Sequence, residues 1–122
     1  MYFVITVVDK QGTAALRRTV VDEHRRYIHD HAGMILAAGA VFAEDGRTVE
    51  GSTLIVEAAD RPAVERFVAA DPFSRVGLRA GVTIKPWIMA CFDRRFLLAL
   101  TAPATPALDE PLIEHVAPER TA

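Results

Sequence analysis

Tyr2-Phe3-Val4-Ile5-Thr6-Val7-Val8 places seven β-branched or aromatic residues in a row at the start of the chain. Side chains of this kind fit a pleated surface, so the stretch predicts a strand over residues 2–8. Successive strand residues point to opposite faces. Phe3, Ile5 and Val7 therefore share one face, and Tyr2, Val4 and Val8 share the other. A strand with one face in water should alternate apolar and polar residues. This one does not, so the sheet that contains it must be covered on both sides.

Working outward, Asp9 to Gly12 reads as a turn and Thr13 as a helix N-cap. From Ala14 to about Ala32 the pattern is helical. Leu16, Val20, His24, Tyr27 and His31 recur at spacings of three and four, which aligns them on an inward face. Gly33 is the expected stop. Met34 to Ala43 reads as a second strand, also apolar on both sides at Met34-Ile35-Leu36, and residues 44–47 as a turn. Ser52 to Ala59 reads as a third strand. Asp60 then caps a second helix that carries Arg61-Pro62 in its first turn and Val64, Phe67 and Val68 inward. Asp71-Pro72 ends it, because a residue before proline avoids the α region. Residues 82–92 predict a fourth strand, with Pro86 at an edge or a bulge.

The order βαββαβ gives an α+β fold. It is a ferredoxin-like, four-stranded antiparallel sheet with both helices on one face. Two helices cover only that face, and an apolar second face is larger than monomers usually expose. A homodimer, sheet against sheet, is the expected remedy. The alternative is that the C-terminal arm folds back over that face. The domain is expected to span 1–100. The arm, 101–122, holds four of the seven prolines. Phe92, Phe96, Leu97, Leu98 and Leu100, which lead into it, are too apolar to trail in water.

At 122 residues the chain suits one domain, and 51% hydrophobic residues supply a core. Fourteen basic against sixteen acidic side chains leave a net charge of -2. That balance offers no footprint for nucleic acid or an anionic membrane, so a small-molecule ligand or another protein is the expected partner. No apolar stretch reaches a spanning length, and no basic region precedes Tyr2 as in a secretory signal. Cys91 is the lone cysteine, which rules out an internal disulfide. The expected location is cytoplasmic.

His24, His29 and His31 invite a metal reading that geometry rejects. His29 and His31 project to different sides of a helix, and His24 lies about 10 Å of helix from His31. His24 is the inward one. It is either a core histidine bonded to a backbone carbonyl or, beside a carboxylate, a general acid–base. Asp71 is the carboxylate that could partner it. Ser52, Arg75 and Tyr27 are the residues proposed to contact a ligand. There is no phosphate-binding loop, dinucleotide fingerprint or nucleophile elbow.

Several stretches, taken together, resemble the YciI-like (YCII-related) family. They are Glu23-His24-Arg25-Arg26-Tyr27-Ile28, Leu36-Ala37-Ala38-Gly39-Ala40, Gly51-Ser52-Thr53-Leu54-Ile55-Val56-Glu57, Ala70-Asp71-Pro72-Phe73, Val76-Gly77 and Val82-Thr83-Ile84-Lys85-Pro86-Trp87. The resemblance covers about residues 2–87. It departs at Ala40, where many relatives have proline. It implies a dimeric α+β barrel with an acid–base pair on His24 and Asp71. The implied activity is elimination or isomerisation of a small aromatic or phenolic molecule without a cofactor. The competing reading is a non-catalytic dimeric module that binds a metabolite or a protein.

Overall fold

β1 (Tyr2–Asp9) runs through the middle of a four-stranded sheet, hydrogen-bonded on both edges. The structure is a computed structural model, and it describes residues 1–99. After β1 come α1 (Ala14–Asp30), a 3-10 turn (Ala32–Met34), β2 (Ile35–Phe42) and β3 (Val49–Glu57). α2 (Arg61–Ala70), a single helical turn α3 (Pro72–Arg75) and β4 (Arg79–Trp87) complete the sheet layer. A small hairpin of β5 (Cys91–Phe92) and β6 (Arg95–Phe96) follows. The sheet order is β2-β3-β1-β4, antiparallel at each pairing. This is the ferredoxin-like α+β arrangement expected from the sequence.

Register sets the core. Ile5 faces Leu54 on one side and Ile84 on the other. Phe3, Ile5, Val7, Leu54 and Val56 pack under Val64, Phe67 and Val68 of α2, with Tyr27 and Ile28 of α1 closing over them. Asp60 caps α2 by accepting from the Ala63 N–H at 3.0 Å. β4 is an edge strand, and Pro86 sits in it where a missing N–H can be tolerated.

Several local expectations are corrected. Thr13 is the N-cap residue of α1, as expected, but its side chain makes no capping bond; the hydroxyl donates back to the Lys10 carbonyl instead. α1 ends at Asp30, before Gly33. The His31 N–H bonds back to the Tyr27 and Ile28 carbonyls, so no left-handed glycine is needed. Leu16 is exposed, because Arg17 takes the inward position at that turn and lies against Asp9 and Phe73. β3 begins at Val49 and ends at Glu57. β4 begins three residues before Val82 and stops at Trp87. The early start of β4 follows from Gly77, whose φ of 72° reverses the chain after α3.

Among the described residues the second sheet face is covered at one end only. Tyr2 is buried there against Met89, with Leu36, Trp87, Phe92, Leu97 and Leu98 packed around it. Phe96, by contrast, is 56% exposed. Leu100 and the arm 101–122 lie outside the described residues. Further along that face Val8 and Val41 stay open. Gly51 stands opposite both, where a Cβ would collide with the Val7 carbonyl. No helix among the described residues is long and apolar enough to cross a membrane.

Candidate active site

α1 carries His24 to the place where α2 ends. Asp71, which terminates α2, is also the residue that starts α3: its Oδ1 accepts from the Phe73 N–H at 2.9 Å. The same carboxylate accepts from His24 Nδ1, at 2.9 and 3.0 Å to its two oxygens. Arg79, brought back by the Gly77 reversal, donates from Nη2 to Asp71 Oδ2 at 3.1 Å and from Nη1 to Ser74 Oγ at 2.8 Å. Asp71 and Arg79 are almost wholly buried, while His24 keeps 19% of its side chain exposed.

Burial alone would push the Asp71 carboxyl up. The hydrogen bond from His24, the Arg79 charge and the Phe73 N–H outweigh it and hold the carboxyl below its ordinary range. An ionised carboxylate only accepts hydrogen bonds, so Nδ1 of His24 carries a proton and the neutral ring keeps its lone pair on Nε2. The ring lies flat on Phe73, centroids 4.0 Å apart and planes 15° apart. One edge of the imidazole is thus committed to Asp71 and one face to Phe73, while Nε2 makes no hydrogen bond among the described residues.

His24 lines a cavity of about 340 Å³ between α1 and the sheet. Ile28, Leu54 and Phe73 give it apolar walls, and the small residues Ala38, Gly39 and Ala40 of β2 leave it room. Ala38 and Ala40 pair with Leu54 and Ser52, which puts all four side chains on the helix-bearing face. Ser52, Arg17 and Arg25 supply polar groups.

The structure therefore brings together His24, Asp71 and Ser52, and leaves two other expected residues out. Arg75 is exposed on α3 and does not line the cavity. The arginine on Asp71 is Arg79, because the chain must turn at Gly77 before a guanidinium can reach back. Tyr27 is also absent from the lining. Its ring packs on Phe67 and its hydroxyl donates to the Phe67 carbonyl at 2.7 Å. Burial and the nearby Asp71 charge push that hydroxyl's pKa up. The remaining helix histidines diverge: His31 Nδ1 lies 2.7 Å from the Tyr27 carbonyl, and His29 is exposed beside Asp30. Among the described residues no three side chains of metal-ligating type converge.

A βαββαβ sheet with its helices on one face is the ferredoxin-like architecture of the dimeric α+β barrel proteins. Within that class, the YCII-related domain matches residues 1–88, and the chain belongs to that family. Among solved structures it is similar to the 5-chloro-2-hydroxyhydroquinone dehydrochlorinase of Burkholderia phenoliruptrix AC1100, in complex with 2,5-dihydroxybenzoquinone. The two are 30% identical with a TM-score of 0.66, over 71% of this chain and 93% of that one. A protein of Agrobacterium tumefaciens is 21% identical with a TM-score of 0.42, over 69% and 88% of the chains. A protein of Arabidopsis thaliana is 14% identical with a TM-score of 0.38, over 74% and 98%. No curated protein matches the sequence.

Proposed function

We propose that the protein is an acid–base enzyme that eliminates from, or isomerises, a small phenolic molecule without a cofactor, working as a homodimer in the cytoplasm. The observation that carries this reading is the clamp on His24: Nδ1 is fixed by an ionised Asp71, and the other edge of the ring is left for the cavity. In that arrangement Nε2 takes a proton from a bound hydroxyl, and Asp71 stabilises the imidazolium that forms. For a halogenated hydroquinone in its keto form, the freed oxygen electrons become a carbonyl. The halide then leaves with its bonding pair, a net loss of HX. That change is redox-neutral and needs only proton transfer. The likeness to a dehydrochlorinase of a chlorinated hydroxyhydroquinone supports this substrate class.

The test is chloride release from 5-chloro-2-hydroxyhydroquinone, followed with a chloride electrode. The wild type should release chloride, and His24→Gln should lower the rate by about 10²–10⁴-fold. No release by the wild type, or an unchanged rate in the variant, overturns the catalytic reading. Binding without turnover would instead favour the ligand-binding module.

The homodimer rests on the half-covered sheet face. Val8 and Val41 remain 53% and 42% exposed on it, with Thr6, Thr53 and Thr83 in a row across three strands between them and the Tyr2 end. A second copy of the same face would cover this surface.

A further inference from the structure

Arg79 brings a permanent charge to the back of the site, although an arginine at a strand end would ordinarily stay in water. Its side chain is 6% exposed and is held at two points, by Nη2 on Asp71 Oδ2 at 3.1 Å and by Nη1 on Ser74 Oγ at 2.8 Å. His24 Nδ1 lies 3.0 Å from that same Asp71 oxygen. The imidazole and the guanidinium thus meet across a single carboxylate, close enough for two positive charges to repel.

That repulsion bears on the chemistry. A buried carboxylate with no other charge beside it draws a proton onto a neighbouring imidazole. Asp71 is already matched by Arg79, which stays protonated across the working pH range. A proton on His24 would add a second positive charge to one carboxylate, with only 19% of the His24 side chain open to water. The other ionisable groups do not relieve this. Arg17 is taken up by Asp9, while Arg25 at the cavity and Arg75 on α3 are themselves cationic. Tyr27 stays neutral: its hydroxyl is bonded to the Phe67 carbonyl, and burial, then the Asp71 charge, push its pKa up. The titratable side chains of α2 and β3, and Lys85 of β4, are exposed, and β2 has none.

We infer that Arg79 is a positioning residue that acts through Asp71. Its charge keeps the His24 imidazole neutral, with the Nε2 lone pair free to accept a proton, further into acid than an aspartate alone would allow. Arg79 does not line the cavity, so it does this without touching a substrate. The inference rests on the proposed acid–base site and sets the pH range over which that site works.

Two substitutions separate charge from hydrogen bonding. Arg79→Gln keeps a donor for Asp71 and removes the charge, whereas Arg79→Lys keeps the charge and loses the fork. One readout is proton NMR titration of the His24 ring signal, identified by its loss in His24→Gln. The other is the pH profile of chloride release from 5-chloro-2-hydroxyhydroquinone. In Arg79→Gln the NMR midpoint and the acid limb of kcat/KM should both move up by about one pH unit. KM on the plateau should change by less than about twofold, because no contact with the substrate is lost. In Arg79→Lys both pH values should stay within about 0.3 unit of wild type. If Arg79→Gln does not fold by circular dichroism, Arg79→Met, which buries no amide, takes its place with the same expected shift. The inference is overturned if the midpoint of the uncharged variant stays at the wild-type value or falls. It is overturned equally if Arg79→Lys moves as far as Arg79→Gln. The titration needs no turnover, so a wild type that releases no chloride defeats the proposed reaction and leaves this inference to be decided by NMR.

Discussion

Asp71 and Arg79 form an ion pair at 3.1 Å with 2% and 6% of their side chains exposed, and neither lines the cavity that His24 reaches. Arg79 therefore supports the site from behind. Removing it would leave Asp71 buried with the His24 and Phe73 hydrogen bonds but without its charge partner. Arg79→Met should cost about 2–4 kcal/mol of stability, read from urea midpoints. A loss below about 0.5 kcal/mol would mean that the pair contributes little.

Acid should expose the same carboxylate. Its folded pKa is depressed, so the unfolded chain takes up the proton first as pH falls. The stability it confers is complete above the unfolded value of about 3.9 and is lost as pH drops through the lower folded value. Asp71→Asn has no such proton to gain. The stability gap between wild type and Asp71→Asn should hold from neutral pH to about 4 and then close. A gap that stays constant below that pH would contradict the assignment.

Gly51 is a packing requirement of the sheet. A methyl group there would meet the Val7 carbonyl, and Gly51 and Val7 are both buried. Gly51→Ala should destabilise by about 1–3 kcal/mol and disturb the adjacent Ser52. Thermal unfolding gives the first effect, and weaker ligand binding the second. An unchanged melting temperature would show that β1 and β3 part without cost.

The open sheet face predicts self-association. Sedimentation equilibrium at micromolar concentration should give twice the chain mass. Val8→Lys, which places a charge at the open end of that face, should shift the mass toward one copy. A wild type that sediments as one copy rules the dimer out.

What could be read in advance was local. The β-branched run 2–8 and the Asp60 cap with Pro62 behind it carry their structural meaning in neighbouring residues, and the structure has them where expected. The stripe that turned His24 inward also placed Tyr27 correctly on α1. It could not show that the Tyr27 hydroxyl is taken up by the Phe67 carbonyl, forty residues away. Arg17 and Arg79 escaped notice for a related reason. Arginine in a helix or at a strand end reads as surface, and each owes its burial to an aspartate on another element. The weak sign for Arg79 was Gly77, whose left-handed conformation reverses the chain. The hairpin after β4 gave less still. Its turn residues, Asp93 and Arg94, adopt φ of 51° and 65° without the Asn-Gly pair that usually announces such a turn.

That hairpin also separates descent from folding. The family match ends at residue 88, yet Met89, Phe92, Leu97 and Leu98 are what keep Tyr2 dry. A chain cut at the family boundary would keep all four sheet strands, His24, Asp71 and Arg79, and would lose its floor beneath the first strand. Tyr2 and Trp87, now edge to face at 6.2 Å, would become an aromatic patch beside an already open sheet. Such a fragment would clump before it could be assayed, and its silence would say nothing about the chemistry of the intact chain.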